Sequence, residues 1–91
     1  MTITIRIPLA LRAYARGASE ITAAASTVRS ALAELERDHP LVYRGVCDET
    51  GAVRRHVNVF VNADHVRDLS GLDTALAPGD VLTIMPAVSG G

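Results

Sequence analysis

Between Thr2 and Ile7 apolar and polar residues alternate strictly, with Ile3, Ile5 and Ile7 on one parity and Thr2, Thr4 and Arg6 on the other. Successive side chains of an extended chain point to opposite faces, so the run predicts a strand with one face in a core and one in solvent. Pro8 cannot donate to a ladder and ends or edges it. Leu9 to Gly17 reads as the turn into a second strand, with Leu9, Leu11 and Tyr14 as contacts and Gly17 as the reversal. Ser19 to Ala23 completes the hairpin.

The period then changes. Ser26 and Thr27 are N-cap residues, and Val28, Ala31, Leu32 and Leu35 fall at i, i+3, i+4 and i+7, one stripe of a helix running to about Asp38. Arg29, Glu34, Glu36 and Arg37 lie off the stripe, and His39-Pro40 stops the helix. From Leu41 to Ala52 the pattern is irregular; Leu41, Val42 and Val46 are expected to cover the open end of the core, and Asp48-Glu49-Thr50-Gly51 signals a turn.

Alternation returns with Val57, Val59 and Val61 against Asn58 and Phe60, inside a β-rich run from about Val53 to Asn62 that reads as a central strand. Asn62-Ala63-Asp64 is a tight turn, and His65 to Leu69 a short hairpin partner. Gly71 to Ala77 holds one turn of helix, broken by Pro78-Gly79-Asp80. The last strand buries Leu82 and Ile84 and leaves Val81, Thr83 and Met85 on the opposite face. The order β-β-α-β-β predicts an α+β roll, a mixed sheet packed on one main helix. Residues 1–85 make up this domain, and residues 86–91 form a tail that leaves its last strand.

Size and composition narrow the chemistry. Ninety-one residues build one modest core and leave little room for an elaborate substrate cleft, which suits a carrier or binding module. A net charge of −1 gives no electrostatic footprint for nucleic acid or an acidic membrane. No apolar run has the length of a bilayer span, and the start lacks the basic and apolar regions of a signal peptide, so a cytoplasmic location is expected. The single cysteine, Cys47, rules out an intrachain disulfide and a Cys-based zinc site, and reads as a small apolar residue. His39, His56 and His65 lack zinc spacing, the carboxylates are scattered, and Gly45, Gly71 and Gly79 are turn glycines rather than a phosphate loop. No catalytic residue and no metal ligand is expected. All nine basic residues are arginine.

Two features carry candidate chemistry. The first is the tail Pro86-Ala87-Val88-Ser89-Gly90-Gly91. Without a Cβ, Gly90 and Gly91 fit a channel too narrow for side chains, and six extended residues reach about 20 Å. A carboxylate is a poor electrophile, so a partner must activate it, for example by adenylation; sulfide would then leave a thiocarboxylate, and a thiol or amine a thioester or amide. The second is Phe60, whose parity opposes Val59 and Val61. It is expected to point outward beside Met85 and near Arg6, a candidate docking surface, unless the segment from Leu41 to Val46 folds over it.

The run Val57-Asn58-Val59-Phe60-Val61-Asn62, the later Leu76-Ala77-Pro78-Gly79-Asp80 and the ending Ile84-Met85-Pro86-Ala87-Val88-Ser89-Gly90-Gly91 together resemble the MoaD/ThiS family of ubiquitin-like sulfur carriers. Within it, Asp64-His65-Val66-Arg67 and the Pro-Ala-Val-Ser-Gly-Gly ending look like the CysO branch; many molybdopterin-type members have Pro-Pro where this chain has Pro86-Ala87. The resemblance implies a β-grasp (ubiquitin-like) fold. It also implies that Gly91 is adenylated and thiocarboxylated by a MoeB/ThiF-like adenylyltransferase using ATP and magnesium, with no cofactor bound by the chain itself. Gly90, Ser89, Val88, Ala87 and Pro86 would line the partner's channel. In the CysO branch a pyridoxal-phosphate enzyme of the cysteine synthase type accepts the sulfur, and a metalloprotease releases the amino acid. Donation to molybdopterin, thiamin or a secondary-metabolite enzyme, and a role as a ubiquitin-like modifier or interaction module, remain open at this point.

Overall fold

The computed structural model describes residues 2–86. The alternating start becomes β1 (Ile3–Arg6), which pairs antiparallel with β2 (Glu20–Ala23) so that Ile5 faces Ile21 and Arg6 faces Glu20. The connection is not the bare turn expected. It is a 3-10 helix, Leu9–Ala15, entered from the extended Pro8 and closed by two left-handed residues, Arg16 (φ 58°) and Gly17 (φ 81°). The physical reason is local: Leu-Ala-Leu-Arg-Ala-Tyr-Ala is rich in helix formers, and the Leu11 N–H already bonds the Pro8 carbonyl at 2.9 Å. Of the expected contacts Leu11 packs against the core, whereas Leu9 and Tyr14 are exposed and Ala15 is buried in their place.

The helical stripe forms α1 (Val28–Asp38), with Val28, Ala31, Leu32 and Leu35 all buried. Thr27 caps it reciprocally: its Oγ1 accepts from the Ser30 N–H at 3.1 Å, while Ser30 Oγ accepts from the Thr27 N–H at 3.0 Å. His39-Pro40 does stop α1, but the segment expected to be irregular is a second helix, α2 (Pro40–Val46). A proline is preorganised for the first position of a helix, so the residue that ends one helix starts the next. Val42 and Val46, one turn apart, are fully buried, and Leu41 is exposed. Gly45, expected in a turn, lies inside α2, where an added Cβ would sit 2.6 Å from Leu11 Cδ2; α2 therefore leans closely on the 3-10 helix.

β3 (Val57–Val61) and β4 (Asp64–His65) form a hairpin through left-handed Asn62 (φ 54°), and β5 (Val81–Pro86) closes the sheet. The five strands lie in the order β2-β1-β5-β3-β4, with β5 parallel to β1 and antiparallel to β3. The hairpin partner expected over His65 to Leu69, not counted in the order β-β-α-β-β, is the two-residue β4, followed by a 3-10 helix at Val66–Asp68, and the central strand is β5, not β3. Apolar content made β3 look central, but β3 and β5 both pair on two edges, and the strand order puts β5 in the middle, between β1 and β3. Ile3, Ile5, Ile7, Val59, Val61, Leu82 and Ile84 share the covered face under the helices. The mixed sheet curled around α1 is the β-grasp roll. Pro86, expected to open the tail, is instead the last residue of β5, opposite Val57. Among the described residues no helix is long and apolar enough to cross a membrane.

Candidate functional site

The uncovered face of the sheet carries a row that crosses all five strands. Register alone aligns it: Glu20 on β2 faces Arg6 on β1, Arg6 faces Thr83 on β5, Thr83 faces Phe60 on β3, and Phe60 faces His65 on β4. Met85, two residues beyond Thr83 on the same face, lies opposite Asn58 and is 48% exposed. Phe60 and Met85 are therefore diagonal neighbours, whereas Arg6 stands on the far side of β5 from Phe60. Neither α2 nor any other segment from 41 to 46 lies over Phe60; α2 packs with α1 and the 3-10 helix on the opposite side.

Polar contacts hold this face in shape. The Phe60 and His65 rings meet edge to face, with centroids 5.0 Å apart at 68°. His65 Nδ1 accepts from the Arg67 N–H at 3.1 Å, which assigns the ring proton to Nε2; Nε2 then donates to Asn58 Oδ1 at 3.0 Å. Arg6 and Glu20 approach only to 3.7 Å and both are more than half exposed, so this ion pair contributes little and exchanges readily.

The start of β5 is clamped as well. Asp80 Oδ2 accepts from the Ala77 N–H at 2.8 Å and Oδ1 from Asn62 Nδ2 at 3.2 Å, while Asn62 Oδ1 accepts from the Val81 N–H at 3.0 Å. The Ala77 and Asn62 donors hold the Asp80 carboxyl below its usual range. Gly79, at φ 86°, makes the reversal that feeds the strand. These bonds fix where β5 begins, and so the direction in which the chain leaves at Pro86.

Two clefts flank that exit. One, of about 130 Å³, is apolar and lies between Leu11, Gly45, Val57 and Pro86. The other, of about 300 Å³, lies between Pro8, Arg12, Thr83, Met85 and Pro86 and reaches Arg6. Arg12 was missed by sequence reasoning, because its segment read as a turn; its half-buried side chain donates Nε–H to the Ile7 carbonyl at 3.0 Å. Ala87, Val88, Ser89, Gly90 and Gly91 lie outside the described residues.

A cleft of about 510 Å³ lies on the other side, beside Tyr43, Arg44, Cys47, Asp48 and Arg54. Cys47 is 1% exposed, and burial pushes its thiol pKa up, which disfavours the thiolate a nucleophile needs. Among the described residues no three His, Cys, Asp or Glu side chains cluster as metal ligands.

The ThiS family matches residues 5–91 of the chain. The sulfur carrier protein CysO of Mycobacterium tuberculosis (strain H37Rv) is 37% identical over 93 residues, an alignment that covers all of both chains. The small archaeal modifier protein 3 of Haloferax volcanii is 39% identical over 66 residues, covering 72% of this chain and 71% of that one. Among solved structures, a chain of the Amycolatopsis orientalis BexX/CysO complex superposes with a TM-score of 0.88 at 35% identity, covering 98% of this chain and 99% of that chain. Sequence along the whole length and the fold of the sheet agree: the chain belongs to the ThiS family.

Proposed function

We propose that the chain is a sulfur carrier protein whose C-terminal glycine, Gly91, is the group that reacts. The observation that carries this reading is the end-to-end match to a CysO sulfur carrier, together with a family match that runs through Gly91 itself. The chain serves as a protein cosubstrate in the cytoplasm, and the catalytic groups belong to its partners.

In the first step a Gly91 carboxylate oxygen attacks the α-phosphorus of ATP in a MoeB/ThiF-like adenylyltransferase, with magnesium on the phosphates, and pyrophosphate leaves. Sulfide then attacks the acyl carbon and AMP leaves, so one oxygen of the carboxylate is replaced by sulfur. The clamped β5 fixes where Pro86 stands, and Phe60, Met85 and Arg6 offer the surface on which the partner sits. The acceptor is a biosynthetic enzyme of the pyridoxal-phosphate cysteine synthase type, with a metalloprotease releasing the product. The CysO resemblance supports cysteine biosynthesis as the pathway.

A second reading, a protein modifier, is favoured by the similarity to a small archaeal modifier protein. Intact mass separates the two. After incubation with ATP, sulfide and the adenylyltransferase, the carrier gains about 16 Da, the oxygen-to-sulfur difference, and the gain disappears when the enzyme is omitted or Gly91 is deleted. A chain that instead appears joined to a lysine of another protein, with no 16 Da species, refutes the carrier reading.

A further inference from the structure

The cleft at the root of the tail differs from the rest of the uncovered face in charge. Two arginines reach it, Arg6 and Arg12, and none of the residues that line it is acidic. Arg12 is held unlike an ordinary surface arginine. Its Nε–H is bound to the Ile7 carbonyl, which fixes the plane of the guanidinium, and among the described residues nothing else binds its two terminal nitrogens. The wall that carries it is itself braced, since Leu11 presses against Gly45 of α2 in space that no Cβ could share. A guanidinium pinned at Nε presents a planar fork, the geometry that matches a carboxylate. Arg6, bound only loosely to Glu20, is available to exchange onto a second carboxylate.

We propose that this cleft is a recognition site for a carboxylate-bearing segment of the enzyme that takes the tail, with Arg12 as its anchor and Arg6 as a secondary contact. The inference rests on the carrier reading for the identity of the partner. The place of the cleft supports an enzyme segment as occupant. Any protein that engulfs residues 87–91 must pass Pro86, which lines the cleft, so its surface arrives there as the tail is drawn in. An acidic segment at that point sets the register of the tail before Gly91 reaches the reacting centre, and Phe60 and Met85 supply the apolar contact beside it.

The test compares wild type with Arg12→Ala, Arg12→Lys and Arg12→Glu, using the adenylyltransferase as probe. Conversion is followed by intact mass, and binding by the Arg12 Nε–H resonance of the isotopically labelled chain. Arg12→Ala raises KM about tenfold or more with kcat unchanged, Arg12→Glu raises it further, and Arg12→Lys falls between because it keeps the charge but not the fork. The differences shrink as ionic strength rises. Arg29→Ala, which removes the α1 partner of an exposed pair with Asp73, serves as the charge control and leaves KM unchanged. Equal melting temperatures establish that the 3-10 helix survives each change.

A wild-type KM for Arg12→Glu overturns the proposal, and so does a fall confined to kcat. So does a shift of the Arg12 resonance when Gly90 and Gly91 are deleted from the free chain, because the chain's own carboxylate would then be the occupant. If wild type binds the enzyme through Arg12 but gains no 16 Da, the carrier reading fails and the acidic recognition site stands. If it gains 16 Da and Arg12→Ala does so equally well, the reverse holds; if it neither binds nor gains mass, both fail.

Discussion

Shortening Met85 to alanine tests whether the uncovered face of the sheet is where a partner sits. Met85 is 48% exposed, so roughly half of its side chain is already packed against the sheet and half remains in water. Full burial of a methionine side chain is worth about 1.5–3 kcal/mol, and covering the remaining half would add about 0.8–1.5 kcal/mol to docking. Alanine keeps only one methyl group and forfeits most of this. At about 1.4 kcal/mol per factor of ten, Met85→Ala weakens docking about three- to tenfold. The assay is the rate of the 16 Da gain against carrier concentration, with the loss expected in KM. A parallel urea titration should show a fall of about 0.8–1.5 kcal/mol, from the half already packed against the sheet, with the chain still folded under assay conditions. An unchanged KM refutes the assignment of the docking face, and a fall well beyond about 1.5 kcal/mol refutes the reasoning from exposure.

Leu82→Ala empties a fully buried site on the central strand and should cost about 2–5 kcal/mol, read as a lower urea midpoint with an unchanged slope. Thr27→Ala removes one half of the α1 capping box and should cost about 1 kcal/mol, measured the same way, while Thr27→Ser keeps most of it. Asp80 and Asp48 both have folded carboxyl pKa values held below the unfolded ones, by the Ala77 N–H and the Thr50 hydroxyl respectively. Their stabilisation is therefore complete above the unfolded carboxylate range near pH 4 and is lost as pH falls through the folded values. Asp80→Asn should flatten the acid limb of a stability–pH curve and leave its neutral limb parallel to wild type; an unaltered acid limb counts against the clamp.

Where one periodicity ran unbroken, the elements could be read directly. Ile3, Ile5 and Ile7 placed β1, the Val28-Ala31-Leu32-Leu35 stripe placed α1, and the parity of Leu82 and Ile84 oriented β5. What escaped was decided partly by local choices that show no periodicity and partly by groups distant in the sequence. Pro40 is both a stop and a start, and seven residues of α2 are too few to display a stripe. The neighbours of β5 come from pairing across long sequence separations, so Phe60 could be assigned a face but not its place opposite Thr83. Met85 and Phe60 were legible by parity, whereas Arg12 was not. Its orientation depends on one bond to the Ile7 carbonyl, which no pattern of apolar and polar positions records. Gly91, outside the described residues, reads from the sequence as a chemical handle, and its sulfur is assigned by the family resemblance.

The parallel pairing of β1 with β5 has a mechanical consequence. The two strands run side by side, with Thr4 opposite Val81, Ile5 opposite Leu82 and Arg6 opposite Thr83, and the chain enters at one end of this pair and leaves at the other. A pull on the tail against a restrained first strand loads the bonds between them in shear, all together, rather than opening them one after another as a pull across the edge hairpin would. Resistance to such a pull is governed by the rate of unfolding, not by equilibrium stability. A pull between the two ends of the chain therefore meets the whole β1–β5 ladder at once before the sheet can open.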